Sequence, residues 1–173
     1  MSGFNETGVD RIVAESRVTK RTLYQQFGSK EGLIEEVLRM HHERMMERVR
    51  VDILSVEGDG VARLLACSDF YRAWFALPHF SGCIFIKALN EFGSCSAKLS
   101  AVAKESKAAM HDLILTLAKE VGAREPEVLA EVLADQLQLL LEGSIIIAQT
   151  GRGAAIIDTA RAMAGDLIER ARR

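Results

Sequence analysis

Proline is scarce in this chain, at 2 in 173 residues. That leaves long stretches free of the residue that removes a helix donor and clashes with the preceding turn. Alternation of apolar and polar residues, the mark of a half-buried strand, is nearly absent as well. Together these lacks argue against a sheet protein and predict an all-α fold. The three cysteines, Cys67, Cys83 and Cys95, are an odd number without CxxC spacing, which argues against a disulfide framework and predicts free thiols in a reducing cytoplasm. No stretch has the pattern of a signal peptide. The most apolar run, Leu137 to Ala148, is interrupted by Gln138 and Glu142 and falls short of the ~20 residues that cross a bilayer. No phosphate loop, zinc-finger spacing or nucleophile elbow is present, so neither a catalytic residue, a metal nor a cofactor is expected. A hydrophobic content of 49% excludes a disordered chain.

Charge of one sign is also lacking overall, since the net is −2, but the average hides an asymmetry. Residues 17–30 carry four basic side chains and no acid, whereas residues 51–173 carry 13 Lys and Arg against 16 Asp and Glu. A local basic patch is the electrostatic footprint of a nucleic-acid surface. The patch falls within Gly8 to Lys30, GVDRIVAESRVTKRTLYQQFGSK, which reads as two short helices, a tight turn between them, and the start of a third. Val9, Ile12 and Val13 share a face of the first helix, with Thr7 and Asp10 in capping-box spacing. Thr19 is placed to cap the second helix and Ser29 the third. Val18, Leu23 and Phe27 are expected to point inward. Arg17, Thr19, Lys20, Arg21, Thr22, Tyr24, Gln25, Gln26 and Lys30 then point outward, a set suited to phosphates and base edges.

Beyond this stretch, Leu33, Ile34, Val37, Leu38, His41, Met45, Val49 and Ile53 continue one apolar stripe along a long helix, with His41 expected in the core. Adjacent His41 and His42 point in different directions, which is poor metal-ligand geometry. Gly58 and Gly60 interrupt the pattern. A helix over about 60–77 is apolar on a wide arc and ends at Pro78. CIFIKALNEF (83–92) extends as a helix, because no second strand exists to pair with it. Further helices are expected over 97–121, with Gly122 as a stop, from Pro126 to about Gln149, and over 154–172 after a Gly151/Gly153 loop.

The segment GVDRIVAESRVTKRTLYQQFGSKEGLIEEVL resembles the helix-turn-helix and following helix of the TetR family of bacterial transcriptional regulators. The TLY, the F-x-SK and the apolar run carry the likeness, over about a fifth of the chain. FSGCIFIKALNEF is similar to a segment of one subgroup. The resemblance implies an all-α regulator: a DNA-binding head over 1–50, and a helical-bundle ligand-binding and dimerisation body over 51–173. It implies a homodimer reading double-stranded palindromic operator DNA, most simply as a repressor. Thr19, Lys20 and Arg21 would open the recognition helix, Tyr24 would contact the backbone, and Lys30 would grip a phosphate. Gln26 stands where many members have His. Arg17 replaces the usual turn glycine, so a non-glycine residue is expected at positive φ. The head's first helix is expected to be almost wholly absent.

In the body, Phe70, Trp74, Phe75, Phe85 and Phe92 are candidates to line a cavity with Met110, Leu113 and Leu140, and Leu89 belongs with them. Among apolar neighbours, Asn90, Gln136, Gln138 and Glu142 are candidates to orient a ligand. A plain core is the competing reading. The effector expected is small and apolar or aromatic. Gly143, Ser144, Ala148, Ala154, Ala155, Ala160, Ala162 and Ala164, with Ile145, Ile146, Ile156 and Met163, predict a close-packing dimer surface on the last two helices. Two alternatives stand beside the regulator: a ligand-binding or dimerisation module with a defective head, and a small helical enzyme using Glu91, His111 or Cys83.

Overall fold

The computed structural model describes residues 3–121 and 126–172. Among them are helices and turns and no strand. The order is α1 (Val9–Ser16), α2 (Lys20–Phe27), α3 (Lys30–Val49), α4 (Gly60–Phe75), α5 (Ile84–Phe92), α6 (Ala97–Lys119), α7 (Pro126–Ile147) and α8 (Gly153–Ala171). None is long and apolar enough to cross a membrane. Gly122 lies outside the described residues.

The chain divides into two compact units. One comprises residues 1–45 and 83–107, the other 46–82 and 108–173. In the first, the buried face of α3 carries Ile34 and Leu38. Leu23 of α2, Phe85, Ala88 and Phe92 of α5, and Leu99, Val102 and Ala103 of α6 are buried as well. His41 is exposed and His42 is half-buried instead, with a buried Nδ1 that lacks a partner. The reason is register: the stripe Ile34, Leu38, His42, Met45, Val49 advances by three or four residues, and His41 falls one position off it. Val18 is likewise exposed, at 40%, because it sits in the turn before α2 rather than on the inward face.

In the second unit, α8 lies against both α7 and α4. Its core is largely aliphatic, with Leu64, Ile114, Leu117, Leu137, Leu141, Ile145, Ile157 and Ile168 buried beside Phe70 and Tyr71. Asp59 caps α4 by accepting the Ala62 N–H at 3.1 Å. Two helices end in a wide turn. After α3, the Ser55 N–H reaches the Arg50 carbonyl five residues back at 3.2 Å, and residues 50–54 form the turn. Between α7 and α8 the backbone reverses at Gly151, whose φ of 87° lies in the region that favours glycine.

Candidate nucleic-acid interface

The geometry of the 8–30 stretch follows from a few local hydrogen bonds. α1 starts after Gly8 without a side-chain cap, so the expected Thr7/Asp10 capping box is absent. The Thr7 hydroxyl instead donates to the Gly3 carbonyl at 2.8 Å. Asp10 turns away to pair with Lys20 at 2.5 Å. At the other end of α1, Arg17 adopts φ 59° and ψ 21°, and its N–H donates to the Val13 carbonyl. It is the one non-glycine residue at positive φ among the described residues. That left-handed residue turns the chain so that Thr19 is extended, and its Oγ1 accepts the Thr22 N–H at 3.1 Å to start α2. Gly28, at φ 71°, ends α2 by donating to the Tyr24 carbonyl at 2.9 Å. Ser29 Oγ then accepts the Gly32 N–H at 3.0 Å and starts α3.

The outward set is therefore in place. Arg17, Thr19, Lys20, Arg21, Thr22, Tyr24, Gln25 and Gln26 are all exposed. Tyr24 leaves 46% of its surface in solvent. The unfilled N-terminal amides of α2 add a positive pole to the same surface. Lys30 is half-buried, and its Nζ donates to the Asn5 carbonyl at 3.3 Å. One charge differs from the sequence reading. Donation to the Asp10 carboxylate raises the Lys20 pKa above its ordinary value, so the ammonium meets an acid of its own chain. Sequence reasoning missed this pairing because Asp10 matched a capping position.

The body candidates fall in both compact units. Phe85, Leu89 and Asn90 belong to the first compact unit, whereas Phe70, Trp74, Met110, Leu113, Gln136 and Leu140 belong to the second. Asn90 and Gln136 are exposed. The aromatics of α4 fill space against one another: Tyr71 meets Trp74 edge-on at 5.8 Å, and Phe80 lies 4.9 Å from Phe75 and 5.3 Å from Trp74. Phe92 pairs instead with Phe4, at 5.8 Å. A void of about 10 Å³ lies among Leu64, Cys67, Ser68, Ile114, Leu137 and Leu141, and of the nine candidates Leu140 alone lines it. That is room for about one water. Burial pushes the Cys67 thiol up to about 12, which leaves it protonated and unreactive at neutral pH. His111 Nε2 bonds Asp135 at 3.0 Å in the second unit, while Glu91 and Cys83 lie in the first.

An all-α chain with a capped helix-turn-helix near its start and a helical body defines the helix-turn-helix regulator class. Residues 2–37 match the family model described as bacterial regulatory proteins, tetR family. A TetR-family transcriptional regulator of Streptomyces coelicolor has a TM-score of 0.90 at 20% identity, covering 98% of this chain and 87% of its own. A TetR transcriptional regulator of Chloroflexus aurantiacus gives 0.83 at 23% identity, covering 98% and 87%. A transcriptional-regulator structure from Saccharomonospora viridis, in complex with choline, gives 0.75 at 19% identity, covering 96% and 86%. A comparison with curated proteins finds no match. Residues 2–37 thus match the N-terminal domain of the tetR family, and the whole chain shares the fold of TetR-family regulator structures.

Proposed function

We propose that the protein is a ligand-responsive repressor that reads a palindromic operator as a homodimer in the cytoplasm, and is not an enzyme. The observation that carries this reading is the exposed, capped α2, with Arg17, Lys20, Arg21 and Tyr24 on one outer surface and a donor-rich N-terminus. A helix-turn-helix places that end of its second helix in the major groove. Phosphate contacts from Arg17, Lys20, Tyr24 and Lys30 set position, while Arg21, Thr22, Gln25 and Gln26 meet base edges. The head is residues 1–50 and the body 51–173.

Two-fold symmetry follows from the operator. The exposed Leu139, Ile146 and Met163, at 73%, 63% and 49%, support an interface on α7 and α8. Apolar area of this kind is stabilised when a second copy covers it. The effector is a small apolar or aromatic molecule bound in the body. With a void of about 10 Å³, binding requires the α4, α6, α7 and α8 core to open. The effector then favours the open state by its difference in affinity for the two states. A gel shift on palindromic duplexes selected from a random pool tests the reading. A specific shift that weakens steeply with salt is expected, and no specific shift at low salt would overturn it.

A further inference from the structure

Glu91, on α5, is 86 and 87 residues away in sequence from the two backbone amides it binds. Its Oε1 accepts the Phe4 N–H at 3.0 Å and its Oε2 accepts the Asn5 N–H at 2.7 Å. A carboxylate that takes two amides at once fixes both the position and the direction of the segment it holds. The segment is a closed turn, since the Thr7 N–H and hydroxyl both donate to the Gly3 carbonyl, at 3.2 and 2.8 Å. The Phe4 ring lies against Phe92. The fit is close: a Cβ on Gly3 would stand 2.6 Å from Glu91 Oε1. From this turn the Asn5 carbonyl accepts the Lys30 ammonium at 3.3 Å. Elsewhere in this unit, the contacts of Ser96 with Glu31 and of Lys98 with Glu35 tie the start of α6 to α3.

We propose that Glu91 is a positioning residue for DNA binding. Its carboxylate clamps the 3–7 turn, and the turn's Asn5 carbonyl holds the Lys30 ammonium where it meets a phosphate. A lysine has three donors. One is used by Asn5, and two remain for a phosphate oxygen. Holding the long side chain beforehand removes part of the rotamer entropy that binding would otherwise cost. The inference rests on the DNA-binding reading above and adds to it a residue outside the helix-turn-helix.

The test compares the wild type with E91Q, K30A and the E91Q/K30A pair on one palindromic duplex over a range of salt, with amide exchange of residues 3–7 followed without DNA. The glutamine keeps one acceptor and turns an N–H₂ toward the other amide, so exchange at Phe4 and Asn5 is expected to rise about tenfold. Operator affinity is expected to fall about fivefold or more, with the slope of log K against log salt shallower by about 0.9 for each head. E91Q is expected to add nothing to K30A, as two members of one chain of contacts should. G3A, which pushes the carboxylate aside without changing charge, is expected to reproduce E91Q. Unchanged exchange, an unchanged salt slope, or full additivity with K30A would overturn the proposal. No duplex binding by the wild type would refute the DNA-binding reading and the phosphate step together. The exchange contrast, which needs no DNA, then separates that failure from a failure of the clamp.

Discussion

Arg17 holds φ 59° between α1 and α2, where a side chain other than glycine costs roughly 1–2 kcal/mol. Glycine would relieve that strain, and its extra freedom in the unfolded chain costs about 0.5–1 kcal/mol. R17G is therefore expected to change stability by less than about 1 kcal/mol in chemical denaturation. The same variant is expected to bind operator less tightly, with a salt slope shallower by about 0.9 for each head. Equal affinity and slope would mean that Arg17 touches no phosphate. Asp10 is the opposite case. Its exposed pair with Lys20 contributes little to folding, yet it sets a negative charge beside the surface proposed to meet DNA. D10N is expected to leave the thermal midpoint nearly unchanged and to strengthen binding to random-sequence duplex several-fold in anisotropy titrations. Weaker binding would make Asp10 a necessary positioner of Lys20. The resemblance to the TetR helix-turn-helix made the positive φ at Arg17 legible, because Arg17 stands where that family has its turn glycine. It did not make the Asp10 pair legible, because nothing local distinguishes a capping acid from one that reaches the next helix.

At the scale of elements, the helices were legible where caps and stops act over three or four residues. Thr19 and Ser29 each bond the amide three residues on, and the run after Cys83 forms α5, with no strand among the described residues. The wide turns over 50–54 and 148–152 were not legible. Neither were the contacts of Glu91 with Phe4 and Asn5, which no periodicity encodes. The same limit hid the ties between α3 and α6. There Lys98, with Arg39 assisting, holds the Glu35 carboxyl below its ordinary range, against the opposing effect of burial. A depressed carboxyl stabilises the fold fully above the unfolded value of about 4.3, and that contribution is lost as pH falls through it toward the folded value. The wild type is thus expected to lose stability on going from about pH 6 to about pH 3. K98A, already without the contact, is expected to start lower at neutral pH and to lose less over the same interval. Urea midpoints at the two ends check this, and parallel losses in both proteins would contradict it.

Over the whole molecule, the proposed regulator joins a head that contacts DNA to a body that pairs with a second copy. Ile146 is exposed at 63% and lies on the surface assigned to the dimer. I146E is expected to keep its helicity and convert the protein from dimer to monomer in sedimentation equilibrium. A dimer unaffected by the charge would place the interface elsewhere. The all-α class was readable from the scarcity of proline and the missing alternation. The grouping of residues 83–107 with 1–45 was not, because compact units need not follow chain order. In the proposed function, the two heads of a dimer bind a palindromic duplex through α2. The most direct measurement is an anisotropy titration of that duplex across a salt series, with R21A and I146E beside the wild type. Saturation at one dimer per duplex and a steep negative salt slope are expected. A loss of specificity in R21A and a large loss of affinity in I146E are expected with them. Saturable, salt-insensitive binding, or binding that neither substitution alters, would contradict it.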